Sequence, residues 1–330
     1  MAMERRAPDA LPVIDLAETF SSAAGRSIAA SALASAGRTT GMFFVTGHAV
    51  PEALIADHFA YARAFFALDF EEKRAIDVRR SNAFRGYEAF GTQTIDALAP
   101  GDLKEGFIMG PDLAPTHPHV LARYPNTGTN LWPLRPTGLR AHMETYVDAM
   151  NALGRHLAEL LALSLDLPAD FFAAMLAEPL TYSQLLHYPA VPPSAAEGRF
   201  GAGAHVDWGL LTILLQDDIG GFEMRRADGT WQVVPPVPGA FAIVLGELVV
   251  RLTNGRYRSA VHRVAKNVGG RSRYAMPTFF DPGYDERIAC VPTCVSDRGE
   301  PRYPERTVAE HMREMKRATL TQTRAEPISA

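Results

Sequence analysis

Cysteine is nearly absent: 330 residues contain two, Cys290 and Cys294. That excludes a disulfide scaffold. Their CxxxC spacing has no histidine beside it, so it is a poor zinc signal, and both thiols read as small apolar residues. Excess positive charge is missing as well. Lys and Arg total 33 against 37 Asp and Glu, for a net charge of −4. No basic field is available to hold nucleic acid or an anionic membrane surface. There is no apolar run of membrane-spanning length, since the most apolar stretch, Gly239 to Val250, is too short and contains Glu247. The opening MAMERRAPDALP has two arginines with no apolar segment behind them. It does not read as a signal peptide, and a reducing cytoplasm is the expected compartment. No internal repeat or low-complexity tract occurs. What remains is ordinary: 47% apolar and 21% charged residues, the balance of a folded chain able to bury a sizeable core.

Two textures follow one another along the chain. Before Pro179, helical patterns dominate. Ser27 to Ala36 is alanine-rich. Pro51 opens a segment with Leu54, Ile55, Phe59, Ala62 and Phe66 at helical spacing. Thr137 to Leu165 places Met143, Tyr146, Met150, Leu153 and Leu157 on one side. Pro168-Ala-Asp-Phe-Phe172 reads as the start of a further helix. Leu11–Leu16 and Gly41–Thr46 read as strands, and Asn82 to Pro115 as loops with short strands. After Pro179, short β-prone runs alternate with Gly, Pro, Asn and Asp: Ser183–Tyr188, Leu210–Gln216, Gly221–Arg225, Trp231–Val234, Ala240–Leu245, His262–Val264 and Arg273–Phe280. Such spacing predicts an all-β barrel or sandwich. Glu305 to Thr323 closes the chain as a charged helix. The expected fold class is α+β with a mainly β core. The expected division is a mixed helical region over 1–180 and a β core with a terminal helix over 181–330, forming one integrated unit.

The chemistry concentrates in His205-Val-Asp207. On a strand, residues i and i+2 share a face, so one imidazole and one carboxylate can meet the same cation. His262, in a β-prone stretch, is the best third ligand. Two histidines and a carboxylate form the facial triad of non-haem Fe(II) oxygenases, and zinc accepts the same ligands. Eleven residues on, Arg273 opens an otherwise apolar strand. Its planar fork suits a carboxylate, whether from a protein acid or from a bound dicarboxylate chelating the metal.

The run Gly201-Ala-Gly-Ala-His-Val-Asp-Trp-Gly-Leu-Leu-Thr-Ile-Leu-Leu-Gln-Asp-Asp-Ile-Gly-Gly221 resembles the core of the isopenicillin N synthase-like, 2-oxoglutarate- and Fe(II)-dependent dioxygenases. So does Thr253-Asn-Gly-Arg-Tyr-Arg-Ser-Ala-Val-His-Arg-Val264. Leu11-Pro-Val-Ile-Asp15, Gly41-Met-Phe-Phe-Val45, Asp102-Leu-Lys-Glu105 and Asn130-Leu-Trp-Pro133 extend the likeness over nearly the whole chain, in order. The resemblance implies a double-stranded β-helix, a jelly-roll barrel, flanked by helices. It implies Fe(II) held by His205, Asp207 and His262. It also implies 2-oxoglutarate held by Arg273 and Tyr188, with dioxygen as the oxidant. The implied reaction oxidises a small molecule, such as an amino acid or natural-product intermediate, and releases succinate and CO2.

One position departs from the pattern. The family often has Arg-x-Ser where this chain has Arg273-Tyr-Ala275. A serine at 275 would share a face with Arg273, and alanine cannot donate that hydrogen bond. This keeps open an oxidase or cyclase without 2-oxoglutarate and an ethylene-forming enzyme. A non-catalytic binding protein is the alternative of another class, against which the intact triad argues. For the substrate pocket, Asn82-Ala-Phe-Arg-Gly-Tyr87 suggests Phe84, Arg85 and Tyr87, with Phe280 beside them. Trp208 reads as packing. The terminal helix, with Glu310, His311 and Arg313, is a candidate cap over the barrel. The oligomeric state is not legible.

Overall fold

The computed structural model describes residues 10–322 apart from 94–100, 193, 195–197 and 296–298. The two arginines of the N-terminal stretch lie outside these residues. Eight strands form a large sheet: β1 (Val13–Asp15), β2 (Met42–Thr46), β3 (Gly86–Glu88), β4 (Glu105–Met109), β5 (Leu180–Tyr188), β7 (Leu211–Gln216), β10 (Phe241–Leu245) and β12 (Arg273–Asp281). Their spatial order is β1-β2-β10-β7-β12-β5-β4-β3. A smaller sheet contains β6 (Ala202–His205), β8 (Phe222–Arg225), β9 (Trp231–Val233) and β11 (His262–Val264), in the order β6-β11-β8-β9. The short pair β13 (Arg287–Ile288) and β14 (Arg306–Thr307) precedes the terminal helix.

Alternation along the large sheet separates two cores. Met42, Phe44, Leu186, Tyr188, Leu214 and Ala275 pack with Ala202, Phe222, Met224 and Val264 of the small sheet. This is the interior of the jelly roll. The alternate residues Phe43, Val45, Leu185, Ile213, Met276 and Phe280 pack with the helices α1 (Ala23–Thr39), α2 (Glu52–Phe66) and α5 (Leu139–Leu163). Central strands therefore bury both faces, which is why β10 reads as an unbroken apolar run. Close approach needs a glycine at 154 in α5: a Cβ there would lie 2.6 Å from the Phe280 ring.

Residues from both sides of position 180 build the large sheet, so its core belongs to the whole chain. Shorter helices α3 (Phe70–Arg74), α4 (Pro118–Leu121) and α6 (Glu247–Leu252) link the strands, and α7 (Val308–Gln322) follows β14. Glu310 and Thr307 bond each other's backbone N–H groups, a capping box that starts α7. The helix expected from Pro168 is instead a series of hydrogen-bonded turns, with Phe171 N–H donating to Pro168 O and Ala173 N–H to Asp170 O.

Candidate metal centre and cosubstrate pocket

His205 ends β6 and stands directly opposite His262 of β11 in the antiparallel ladder. Asp207 lies just beyond the strand, so alternation alone does not aim its carboxylate. The loop does. Glu247 N–H holds the Asp207 carbonyl at 2.9 Å. The Leu210 N–H donates to Asp281 Oδ1 at 2.6 Å. A Cβ at Gly209 would collide with that same carboxylate, so only glycine lets the loop pass. Thr212 Oγ1 donates to Asp207 Oδ2 at 2.5 Å, leaving Oδ1 toward the histidines. The ligand-type atoms of His205, Asp207 and His262 all lie within 4.8 Å of one another. Asp207 Oδ1 is 3.8 Å from His205 Nε2 and 3.7 Å from His262 Nε2.

Hydrogen bonding sets the tautomers. His205 Nδ1 donates to Gly203 O at 2.8 Å, and His262 Nδ1 to Ala260 O at 2.9 Å. Both Nε2 atoms therefore turn lone pairs toward Asp207 Oδ1. Burial and repulsion from His262 push His205 down to about 3, so it stays a neutral ligand. Three acceptors face one point with no donor between them, the electrostatic signature of a cation site. The donor set fits Fe(II). Burial raises Asp281 to about 7; the Leu210 N–H opposes the shift and Asp207 adds to it.

Arg273 opens β12 on the interior face and is 1% exposed. Its guanidinium lies 4.7 Å from the Tyr188 ring centroid, and the two residues pair across β12 and β5. Nη2 donates to Gln216 Oε1 at 3.2 Å. Nε and Nη1 have no partner among the described residues. Buried donors without an acceptor are costly, and a carboxylate satisfies them. A Cβ on Gly201, next to β6, would lie 3.0 Å from Tyr188, so this ring adjoins the strand that carries His205.

The expected substrate residues disperse. Tyr87 and Phe280 pack with the helix-side core, not the barrel interior. Tyr87 donates to Glu105 Oε2 at 2.6 Å, and Phe280 covers Gly154. Strand alternation turns them away from the triad's face, which corrects the expectation for both. Phe84 is exposed at a left-handed φ of 57°, with Lys316 Nζ 5.8 Å from its ring centroid. Arg85 is buried over the Tyr182 ring, donating to the carbonyls of Ala83 and Asn126. In α7, His311 Nε2 donates to the Trp208 carbonyl at 2.8 Å, and Arg313 lies over Tyr124.

Sequence reasoning missed the supports. Thr212 and Gln216 sit in a run read only as a strand, and Asp281 lies one residue beyond another. Asp102, noticed for its motif alone, braces β6 by accepting from Gly203 N–H at 3.0 Å.

A jelly roll with a His-Asp-His triad inside it defines a non-haem Fe(II) oxygenase. Residues 11–135 match the family model for the non-haem dioxygenase N-terminal region in morphine synthesis. Residues 180–282 match that of the 2OG-Fe(II) oxygenase superfamily. The chain is 34% identical over 313 residues to the 2-oxoglutarate-Fe(II) type oxidoreductase hxnY of Emericella nidulans, covering 93% of this chain and 89% of that one. A 2OG-Fe(II) oxygenase family protein from Caulobacter crescentus superposes with a TM-score of 0.82 at 30% identity, over 94% of this chain and 99% of the other. A full-length Neurospora crassa protein, solved in complex with α-KG and thymine, shares the fold with a TM-score of 0.83 at 23% identity, over 95% and 98% of the two chains. The chain belongs to the isopenicillin N synthase-like family of 2-oxoglutarate- and Fe(II)-dependent dioxygenases. Fe(II), 2-oxoglutarate and dioxygen are the cofactor and cosubstrates of this class. Among the described residues, no helix is long and apolar enough to cross a membrane.

Proposed function

We propose that this dioxygenase hydroxylates a C–H bond of a small organic molecule. His205, Asp207 and His262 hold Fe(II), and Arg273 with Tyr188 receives the distal carboxylate of 2-oxoglutarate. The balance is R–H + O2 + 2-oxoglutarate → R–OH + succinate + CO2. One observation carries the reading: an acceptor-only triad and a donor-only arginine pocket adjoin within a single barrel. The triad would take a cation and the arginine pocket an anion, so His205, Asp207 and His262 would hold Fe(II) while Arg273 and Tyr188 would receive the far carboxylate of a 2-oxoglutarate bound beside it.

Each residue has a definable task. The Nδ1–H bonds to Gly203 and Ala260 orient the imidazoles. Thr212 orients Asp207. Arg273 sets the depth and direction of the cosubstrate. The iron supplies the activation of dioxygen, and the barrel excludes water from the reacting carbon. A small-molecule substrate is supported by the thymine in the Neurospora crassa structure.

The test is an anaerobic titration of apoprotein with Fe(II) and then 2-oxoglutarate, read by the visible charge-transfer band. A band that requires both additions is expected. A substrate screen follows, scored by succinate equal to oxidised product. Bound Fe(II) with no band on adding 2-oxoglutarate overturns the cosubstrate assignment, and Arg273→Ala with an unchanged 2-oxoglutarate requirement removes Arg273 from it.

A further inference from the structure

Ala275 leaves the arginine pocket one donor short. It follows Arg273 on the same face of β12 and has no hydroxyl to offer an anion. Across the ladder its direct partner on β7 is Gln216. The amide of that glutamine has a determined orientation. A guanidinium only donates, so the atom facing Arg273 Nη2 at 3.2 Å is the carbonyl oxygen Oε1. Nε2 must then point elsewhere. It is shielded from solvent and has no partner among the described residues, as are Arg273 Nε and Nη1. Three adjacent nitrogens thus present only N–H groups, while the neighbouring Ala275 and Leu186 present only carbon. Leaving such donors unmet costs free energy, and a carboxylate can accept from the Gln216 amide together with one edge of the guanidinium.

We infer that Gln216 is a 2-oxoglutarate-binding residue, its Nε2 donating to the distal carboxylate while its Oε1 holds Arg273 in place. The amide supplies the hydrogen bond that Ala275 cannot. This rests on the cosubstrate assignment above and adds to it a residue, an atom and a direction of donation. Its specificity consequence is a preference for 2-oxo acids with a carboxylate at the far end. The unbranched five-carbon 2-oxo acid that ends in a methyl, 2-oxovalerate, would leave the same N–H groups unmet.

The experiment measures binding, not turnover. Anaerobic protein loaded with Fe(II) is titrated with 2-oxoglutarate and separately with 2-oxovalerate, for the native chain, Gln216→Leu, Ala275→Ser and the double variant. Gln216→Leu should weaken 2-oxoglutarate by about 10- to 100-fold, the range for a hydrogen bond to a charged group. Its affinity for 2-oxovalerate should stay within about twofold, because that acid never used the amide. Ala275→Ser in the Gln216→Leu background should restore most of the loss by returning a donor to the same face. Equal losses for both acids would mean that Gln216 only supports the barrel, and unchanged 2-oxoglutarate affinity would mean that it does not touch the carboxylate. Either result overturns the inference. Should Gln216→Leu fail to fold, Gln216→Glu is the second variant. It keeps the contact to Arg273 and puts a carboxylate where the anion binds. Retained 2-oxoglutarate affinity there would also overturn the inference. Absence of the charge-transfer band in the native chain would instead strike the cosubstrate assignment itself.

Discussion

Replacing Thr212 by valine isolates one oxygen atom. The side chain is 5% exposed, and valine keeps its branched shape while removing the hydroxyl. That hydroxyl donates to Asp207 Oδ2 at 2.5 Å and leaves Oδ1 facing His205 and His262. Without it, Asp207 loses a hydrogen bond to a charged acceptor, worth about 1.5–3 kcal/mol. It also gains freedom to rotate Oδ1 away from the histidines. Partners of this kind to metal ligands typically account for about 10- to 100-fold in metal affinity, which is about 1.4–2.7 kcal/mol. The two figures agree, so most of the hydrogen bond's worth should appear in the metal equilibrium. The assay is anaerobic Fe(II) binding in competition with a chromophoric chelator, with Mn(II) as a redox-silent control. Thr212→Val should weaken both ions by that factor, and Thr212→Ser should retain near-native affinity. An Fe(II) affinity within about twofold of native in a folded valine variant would refute the reasoning, and Asp207 would then be held by its loop alone.

Three further outcomes follow from the same geometry. His262→Ala should abolish succinate formation and metal-induced thermal stabilisation while leaving the far-ultraviolet circular dichroism intact; a metal-dependent rise in melting temperature equal to native would remove His262 from the triad. Glu105 accepts from Lys73, Tyr87 and His187 in the helix-side core, so Glu105→Ala should destabilise by about 3–5 kcal/mol by stranding the Lys73 charge, as judged by denaturant unfolding. Burial pushes the Glu105 carboxyl up, but the three donors outweigh it and hold it below 4.5; its contribution is therefore present above that value and fades as pH falls through the lower folded pKa, and a native-minus-variant difference that grew in acid would contradict this. Gly154→Ala should cost about 1–3 kcal/mol by driving a Cβ into Phe280, with Fe(II) affinity unchanged; equal stability would mean that Phe280 does not pack there.

Legibility differed by the range of the interaction. The strand pattern after Pro179, the length of α5 and the HxD pair are local features, carried by periodicity and spacing. The clustering of His205, Asp207 and His262 and the burial of Arg273 were foreseeable because each side chain has few roles at such a position. The substrate residues were not. Phe84, Arg85 and Tyr87 are neighbours in sequence, yet one faces solvent, one stacks on Tyr182 and one joins a buried acid on the far side of the sheet. A left-handed residue at 84 and the short β3 decide those directions, and neither leaves a periodic signal.

By itself, then, the sequence determined a helix-flanked β core, the ligand types of a metal centre and an arginine suited to a carboxylate. These depend on residue chemistry and on repeats of two or 3.6 residues. Tertiary structure alone decided that His262 stands opposite His205, that Thr212 and a glycine loop aim Asp207, and that Gln216 faces Ala275. Each of those pairings joins separate strands or loop and strand, and register across a sheet is set by which faces are buried together. No single segment contains that information.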